Sequence, residues 1–340
     1  MPERNPVGHL DKQQRLRAVR SVQVRYPEFN TAIARIESCL ENSPHLPEPE
    51  CLLLTGLTGM GKTTVCSRIL RKYESSVSDR QTKHQVVYSA VPKSAAQNNV
   101  TGAKALAKVL LRTLGEEVAF LGGRNRAFDD WSSLLYRQLL NCSTALIILD
   151  EFQHLVHGSN VTYFTADWIK ELTNETRIPV VLCGLPECRT LVDLNSQLAR
   201  RFQEVSLEPW DYAVKADRAK LQRFLKELDR LAPLEDWSDF DGEENVYRFY
   251  QATSGLIGHI MGLYRIAVEY AIEREDTVVR NNDLSRAFRR IVHPRHGSHP
   301  NPFEKEGQGA SLVKPGSLAN PAPASPTGSL DLSKRRRYGS

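Results

Sequence analysis

Apolar positions fall into two regimes along this chain. Between residues 49 and 209, short unbroken apolar runs alternate with stretches of helical period: CLLLTG from Cys51, QVVYSAV from Gln85, ALIILD from Ala145 and IPVVLCG from Ile178, with EVSLEP at 204–209 as a fifth. Strands buried on both faces read as such runs, and the helical segments between them supply crossovers. The pattern therefore predicts an α/β core with a parallel five-stranded sheet flanked by helices. Outside that region the period becomes helical. Ile33, Ile36 and Leu40 share one face of a segment at 11–42, which predicts two helices parted at Pro27 and closed by the proline-rich SPHLPEPE at 43–50. Beyond Trp210, the segments LQRFLKELDRL, ENVYRFYQATSG, LIGHIMGLYRIAVEYAIE and DLSRAFRRIV are amphipathic and predict a small α-helical lid. From His293 onward Gly, Ser, Pro and Ala dominate, and such a composition predicts a disordered tail. The expected divisions are an N-terminal helical extension (1–48), the core (49–209), the lid (210–293) and the tail (294–340).

Composition narrows the class. With 41% apolar and 25% charged residues in 340, the chain has the make-up of a globular protein, and its length exceeds one domain of about 100–200 residues. The start MPERNPVGHLDKQQRLR has no apolar stretch for a signal peptide, and no run has the length to span a bilayer; a cytoplasmic protein with no membrane contact is expected. Cys39, Cys51, Cys66, Cys142, Cys183 and Cys188 form no CxxC pair and read as reduced and structural. The formal charge of +5 is mild, so its distribution matters more. Lys12, Arg15, Arg17, Arg20 and Arg25 cluster near the start, and Lys334, Arg335, Arg336 and Arg337 near the end; both clusters suit either nucleic acid or plain solvation. His154 with His157, and His293 with His296 and His299, lack the partner ligands of a metal site.

The chemistry concentrates after the first strand. GLTGMGKT, from Gly56 to Thr63, fits GxxxxGK[ST] and runs from an apolar strand into the helical TTVCSRILRKY. In such a loop Gly56, Gly59, Met60 and Gly61 present backbone N–H groups to phosphates, and Thr64 continues the helix whose positive end faces them. Lys62 reaches the β- and γ-phosphates, and Thr63 ligates magnesium. The run 145–149 ends in Asp150 and Glu151. Asp150 is suited to hold Mg2+, directly or through its water shell, and Glu151 to polarise a water for in-line attack on the γ-phosphate of ATP. Arg200 and Arg201 lie just before the fifth strand; in a head-to-tail assembly either can reach a neighbour's γ-phosphate, a contribution of about 10³–10⁵ in rate. The expected activity is ATP hydrolysis.

The order of strand, phosphate loop, DE pair, IPVVLCG strand, RRF and helical lid resembles the AAA+ ATPases. YPEFNTAIARIE, GLTGMGKTT, LDEFQHL and WIKELTNETRIPVVLCGLPE, with SGLIGHIMGL and the late NPF, are similar to the TniB/TnsC type of transposition ATPase over roughly residues 11–303. The resemblance implies a bacterial regulator of DNA transposition. It would assemble with ATP on double-stranded DNA as a ring or helical filament, mark a target site with a target-selection adaptor, recruit and stimulate the transposase, and disassemble on hydrolysis. In VPKSAAQNNVTGAKALAK it points to Lys93, Thr101 and Lys104 as DNA contacts. Two departures are visible. Cys183, Gly184 and Leu185 stand where many relatives end the fourth strand with a polar residue, and Gly258 stands three residues after Gly255, where many carry an arginine; both suggest slow turnover. Two other classes fit a phosphate loop. One is an ATP-gated oligomeric signalling scaffold that touches no DNA. The other is a small-molecule kinase, which a water-recruiting Glu151 disfavours because kinases exclude water.

Overall fold

The computed structural model of the chain describes residues 10–78, 81–92, 99–115, 127–155, 161–193, 196–291, 299–304 and 311–319. Helices α1 (Lys12–Ser21) and α2 (Pro27–Asn42) lead into β1 (Cys51–Gly56) and α3 (Lys62–Lys72). A hairpin, β2 (Ser76–Ser78) and β3 (Gln81–Lys83), precedes β4 (Val86–Ala90), α4 (Asn99–Thr113), α5 (Phe128–Asn141) and β5 (Leu146–Asp150). Then come α6 (Val161–Thr176), β6 (Val180–Gly184), α7 (Cys188–Asp193), α8 (Ser196–Arg201) and β7 (Phe202–Leu207). Helices α9 (Lys215–Leu231), α10 (Glu243–Thr253), α11 (Ile257–Glu273) and α12 (Asn281–Ile291) complete the fold.

The sheet order is β4-β5-β6-β1-β7 with every neighbouring pair parallel. Its strands are apolar throughout because both faces are covered. Cys51 and Leu53 of β1, Ile147 and Leu149 of β5, and Val180 and Leu182 of β6 enter one core. Leu52, Leu54, Leu146, Ile148, Val181 and Cys183 enter the other. Helices α4, α5 and α6 cover the first face. Helices α2 and α3 cover the second, whose core continues without a break into the lid. The fifth strand begins at Phe202, two residues earlier than its apolar pattern indicates, and β2–β3 carries no apolar run by which sequence could find it. No helix among the described residues is long and apolar enough to cross a membrane.

The N-terminal segment is integral to this body. Asp11 caps α1 by accepting from Gln14 N at 2.8 Å, while Gln14 Oε1 accepts from Asp11 N at 2.9 Å, a reciprocal capping box. Pro27 opens α2, where its missing N–H has no cost. Helix α1 lies on α11. Lys12 Nζ donates to Glu273 O at 3.1 Å, and Arg15 and Arg20 pair with Glu235 and Glu269 at 3.3 and 2.9 Å. Three of the basic residues that composition offers to nucleic acid therefore face the lid. Each exposed pair contributes little to stability; α1 is also held by Val19, which is fully buried in the core shared with the lid.

A disordered tail from 294 onward does not describe residues 299–304 and 311–319. Phe303 is buried with its ring 5.9 Å from Phe249. His299 Nε2 lies 2.7 Å from Gln251 O. Val313 N donates to Gln251 Oε1 at 3.1 Å, and Tyr250 OH donates to Val313 O at 2.9 Å. Gly316 N and Leu318 N then donate to Ser254 O and Oγ at 2.7 and 3.1 Å, and Leu318 is buried. Isolated apolar residues in a Gly/Pro-rich segment thus use α10 as their template. Residues 294–298, 305–310 and 320–340 of the expected tail, with 292 and 293 of the expected lid, lie outside the described residues. Burial of Leu318 and Val313 is worth roughly 3 kcal/mol. Ending the chain after residue 304 should lower the thermal midpoint by about 5–10 °C, and ending it after 319 should leave the midpoint unchanged; differential scanning calorimetry of both truncations reads the difference.

Candidate nucleotide site

The phosphate loop is shaped by contacts from outside it. Gly59 and Gly61 adopt φ of 88° and 90°, left-handed conformations that side-chain-bearing residues rarely take. Tyr26, between α1 and α2, donates from its hydroxyl to Met60 O at 2.8 Å. Burial, with Glu28 nearby, pushes the Tyr26 phenol above its ordinary pKa, so it remains a donor at any physiological pH. From the lid, Gly258 N at the start of α11 donates to Gly59 O at 2.7 Å. A Cβ on Gly258 would stand 2.7 Å from that oxygen. The position where many relatives carry an arginine is therefore in direct backbone contact with the loop.

A cleft of about 510 Å3 opens beside the loop, lined by Thr58, Gly59, Gly61, Lys62, Thr63 and Thr64, with Glu151 and Gln153 across from them. Residues 22–26, Met261 and Arg265 close its other end. Gly56 and Met60 support the loop from beneath: Met60 is buried, and Gly56 O accepts from Lys62 Nζ at 2.6 Å. Lys62 also donates to Leu57 O at 3.2 Å. Desolvation lowers the Lys62 pKa, while Asp150 and Glu151 act against that shift.

Asp150 is 2% exposed, a costly place for a carboxylate unless it is fully bonded. Its Oδ2 accepts from Thr63 Oγ1 at 2.9 Å and Tyr88 OH at 3.0 Å, and its Oδ1 from Glu151 N at 2.8 Å. Because Thr63 gives its proton to Asp150, the lone pairs of its hydroxyl are left for a cation. These are hard oxygen donors and suit Mg2+, which keeps several waters and takes its remaining ligands from phosphates. Among the described residues no cluster of three or more His, Cys, Asp or Glu forms an all-protein cage. His154, by the same strand end, has Nδ1 2.9 Å from Val91 O.

Glu151 takes a left-handed φ of 57°, a turn that lifts its side chain out of the strand into the cleft. The turn after it is anchored by Phe152 and Leu155, both fully buried. At the end of β6, Cys183 Sγ packs 3.4 Å from Cys66 Sγ of α3, so this strand end serves packing.

The two arginines separate clearly. Arg201 has a side chain 7% exposed, donating to Glu48 at 2.8 and 3.1 Å, Thr173 at 3.0 Å and Asn174 at 2.8 Å. It joins the linker before β1 to α6. Arg200 is exposed on α8 with no ion pair among the described residues. Lys104 lies on α4, within one row with Lys108 and Arg112; the backbone of Thr101 is on the same helix, and Lys93 lies outside the described residues. Sequence reasoning missed Tyr26, Gln153 and Arg265. Arg265 was the most accessible of these, since it is seven residues after Gly258 and so on the same face of α11.

This is the P-loop ATPase fold of the AAA+ class. Solved structures of similar architecture include the Aeropyrum pernix ORC1 protein in complex with DNA (18% identity, 83% of this chain and 71% of that one, TM-score 0.55). Others are the Aeropyrum pernix ORC2 protein in ADPNP–ADP complexes (14%, 80% and 71%, 0.56) and Cdc6p from Pyrobaculum aerophilum (15%, 82% and 70%, 0.56). The model of the bacterial TniB protein family matches residues 15–212, and the chain belongs to that family. No curated protein matches the sequence.

Replacing Gly258 by valine should weaken binding of a fluorescent ATP analogue by tenfold or more, because the side chain separates α11 from the loop (about 1.4 kcal/mol per tenfold). Replacing the exposed Trp237 by alanine should leave that affinity unchanged; fluorescence titration compares the two.

Proposed function

We propose that this chain is an ATP-hydrolysing, DNA-bound regulator of transposition, assembled on double-stranded DNA with ATP, able to recruit transposase with a target-selection adaptor, and released by hydrolysis. The carrying observation is the single cleft that joins the phosphate loop, the Thr63–Asp150 pair and Glu151. Membership of the TniB family supports the transposition part.

Lys62 would exchange the carbonyls of Gly56 and Leu57 for β- and γ-phosphate oxygens. Thr63 and Asp150 would hold magnesium, which when bound supplies charge neutralisation on those oxygens. Glu151 polarises the attacking water. Neither the end of β6 nor Gly258 offers a side chain to the γ-phosphate, which favours slow turnover in an isolated subunit. Arg200 is the residue free to act on a neighbouring subunit, since Arg201 is committed within its own.

For DNA, Lys104, Lys108 and Arg112 stand at i, i+4 and i+8 on α4. Lys108 lies 4.9 Å from the centroid of Trp131, and desolvation with the like charges of Lys104 and Arg112 lowers its pKa. A row of cations that repel one another gains from meeting a polyanion. Contacts of this kind bind phosphates without reading bases, as a protein acting at many sites requires. A DNA complex of ORC1, a protein of the same fold, agrees with this use of it.

Electron microscopy with duplex DNA and a slowly hydrolysed ATP analogue should show rings or filaments that need both components. Lys62→Ala should abolish them, and Glu151→Gln should keep them while turnover falls at least about 100-fold. Assembly with nucleotide alone, indifferent to DNA and salt, would instead mean a signalling scaffold.

Arg200→Ala should remove the DNA-stimulated part of turnover and leave basal ATP binding intact, whereas Arg201→Ala should lower thermal stability first. For the basic row, Lys104→Ala with Lys108→Ala should reduce the salt slope of DNA affinity by about 2.

A further inference from the structure

The loop after β5 holds a polar side chain beside Glu151. Gln153 lines the cleft with Glu151 and Lys62. Its Nε2 donates to Glu151 Oε2, and its Oε1 accepts from Leu185 N, the first residue past β6, at 3.3 Å. One amide thus spans from the acid at the end of β5 to the backbone at the end of the adjacent strand.

The space over that second strand end is already taken. A Cβ on Gly184 would lie 2.9 Å from Gln153 Oε1, 3.3 Å from Gln153 N and 2.3 Å from Cys188 Sγ. The position before it, Cys183, points into the contact with Cys66. β6 therefore cannot end in a polar side chain of its own, and the amide beside its end comes from the neighbouring loop.

The geometry points to Gln153 as the positioning residue for Glu151 in hydrolysis: its amide holds one carboxylate oxygen and ties it to the end of β6, leaving the other oxygen to take a proton from water. A carboxylate on a short exposed turn samples several rotamers, and a small misplacement of a reacting group costs a large factor in rate. A neutral amide suits the task because it can donate to the acid and accept from a backbone N–H at once. Glutamate at 153 could accept from Leu185 N but would repel Glu151. The left-handed turn at Glu151 is what brings two side chains two residues apart to the same side. The inference rests on Glu151 as the water-polarising group and adds how that group is held.

The test compares the wild-type chain with Gln153→Ala, Gln153→Glu, Glu151→Gln and the Glu151→Gln/Gln153→Ala double variant, each with Mg-ATP and duplex DNA. Binding of a mant-labelled ATP serves as an independent readout. Gln153→Ala should lower kcat about tenfold with nucleotide affinity within twofold of wild type, and Gln153→Glu should lower it at least as far. In single-turnover measurements on the Glu151→Gln background, removing Gln153 should cost nothing further, since two residues acting through one group are not additive. Wild-type kcat in Gln153→Ala, a loss of affinity that accounts for the lost rate, or a full tenfold loss on the Glu151→Gln background would each overturn the assignment while leaving the ATPase reading standing. Absence of any turnover in the wild-type chain with DNA would overturn both.

Discussion

A phosphate loop works only if its peptide groups are turned so that N–H groups converge on one anion, and that requires their carbonyls to be held elsewhere. In a trans peptide the C=O and the following N–H point in opposite directions. The bond from Tyr26 OH to Met60 O therefore directs the Gly61 N–H away from Tyr26, and the bond from Gly258 N holds the Gly59 carbonyl on the lid side. Neither partner belongs to the motif. One comes from the segment before α2, 34 residues earlier in sequence, and the other from the first turn of a lid helix. The aromatic group of Tyr26, Trp210 and Phe224, with centroids 5.4–6.1 Å apart, fixes the first partner against the junction of sheet and lid. A GxxxxGK[ST] segment can be written anywhere in a chain. What makes it a loop of this shape is that the rest of the fold holds its carbonyls.

The same constraint explains how charge is handled. A lysine and two acids occupy one end of the sheet, and water is partly excluded from it. Lys62 loses hydration, as the lowering of its pKa records, and two loop carbonyls accept from it. Asp150 loses nearly all of its hydration, and three donors replace it. The three bonds to Asp150 hold that carboxylate in place ahead of any ligand, whereas the two carbonyls on Lys62 are the contacts that phosphate oxygens would replace.

The sheet was legible because its strands are buried on both faces, and only unbroken apolar runs meet that condition. The positions of the loop and the DE pair were legible because GxxxxGK[ST] and a pair of acids each follow an apolar run directly, which ties both to strand ends. What sequence could not separate was Arg200 from Arg201: neighbours on one short helix differ by about 100° in direction, and which direction meets Glu48 and Thr173 is a tertiary fact. The basic residues of α1 stayed open between nucleic acid and solvation for a related reason, since a row of cations reads alike whether it faces phosphates, water or, as Arg15 and Arg20 do, Glu235 and Glu269. Residues 311–319 were illegible because their apolar residues follow no period: Leu318 is buried and Val313 is held by α10, while Leu312 stays exposed. Gln153 carries no signal at all until the fold brings β6 beside it.

The lid and the C-terminal segment share more than proximity. Gly258 contacts Gly59 by backbone, and a Cβ on Gly316 would meet Leu57 Cδ1 at 2.6 Å and Pro209 at 3.0 Å. Gly316 itself hangs from Ser254, which takes a left-handed φ of 47° at the end of α10, one residue before Gly255. The phosphate loop at 57–60 is thus touched by Tyr26, by the start of α11 and by the returning C-terminal segment, the first of which lies more than two hundred residues before the other two. In the proposed role of Lys62, Leu57 O and Gly56 O are also the groups that it would leave to reach a phosphate. A change in the loop when Lys62 moves therefore bears on Gly59 and Leu57 directly, and through them on the lid and the segment clasped to it.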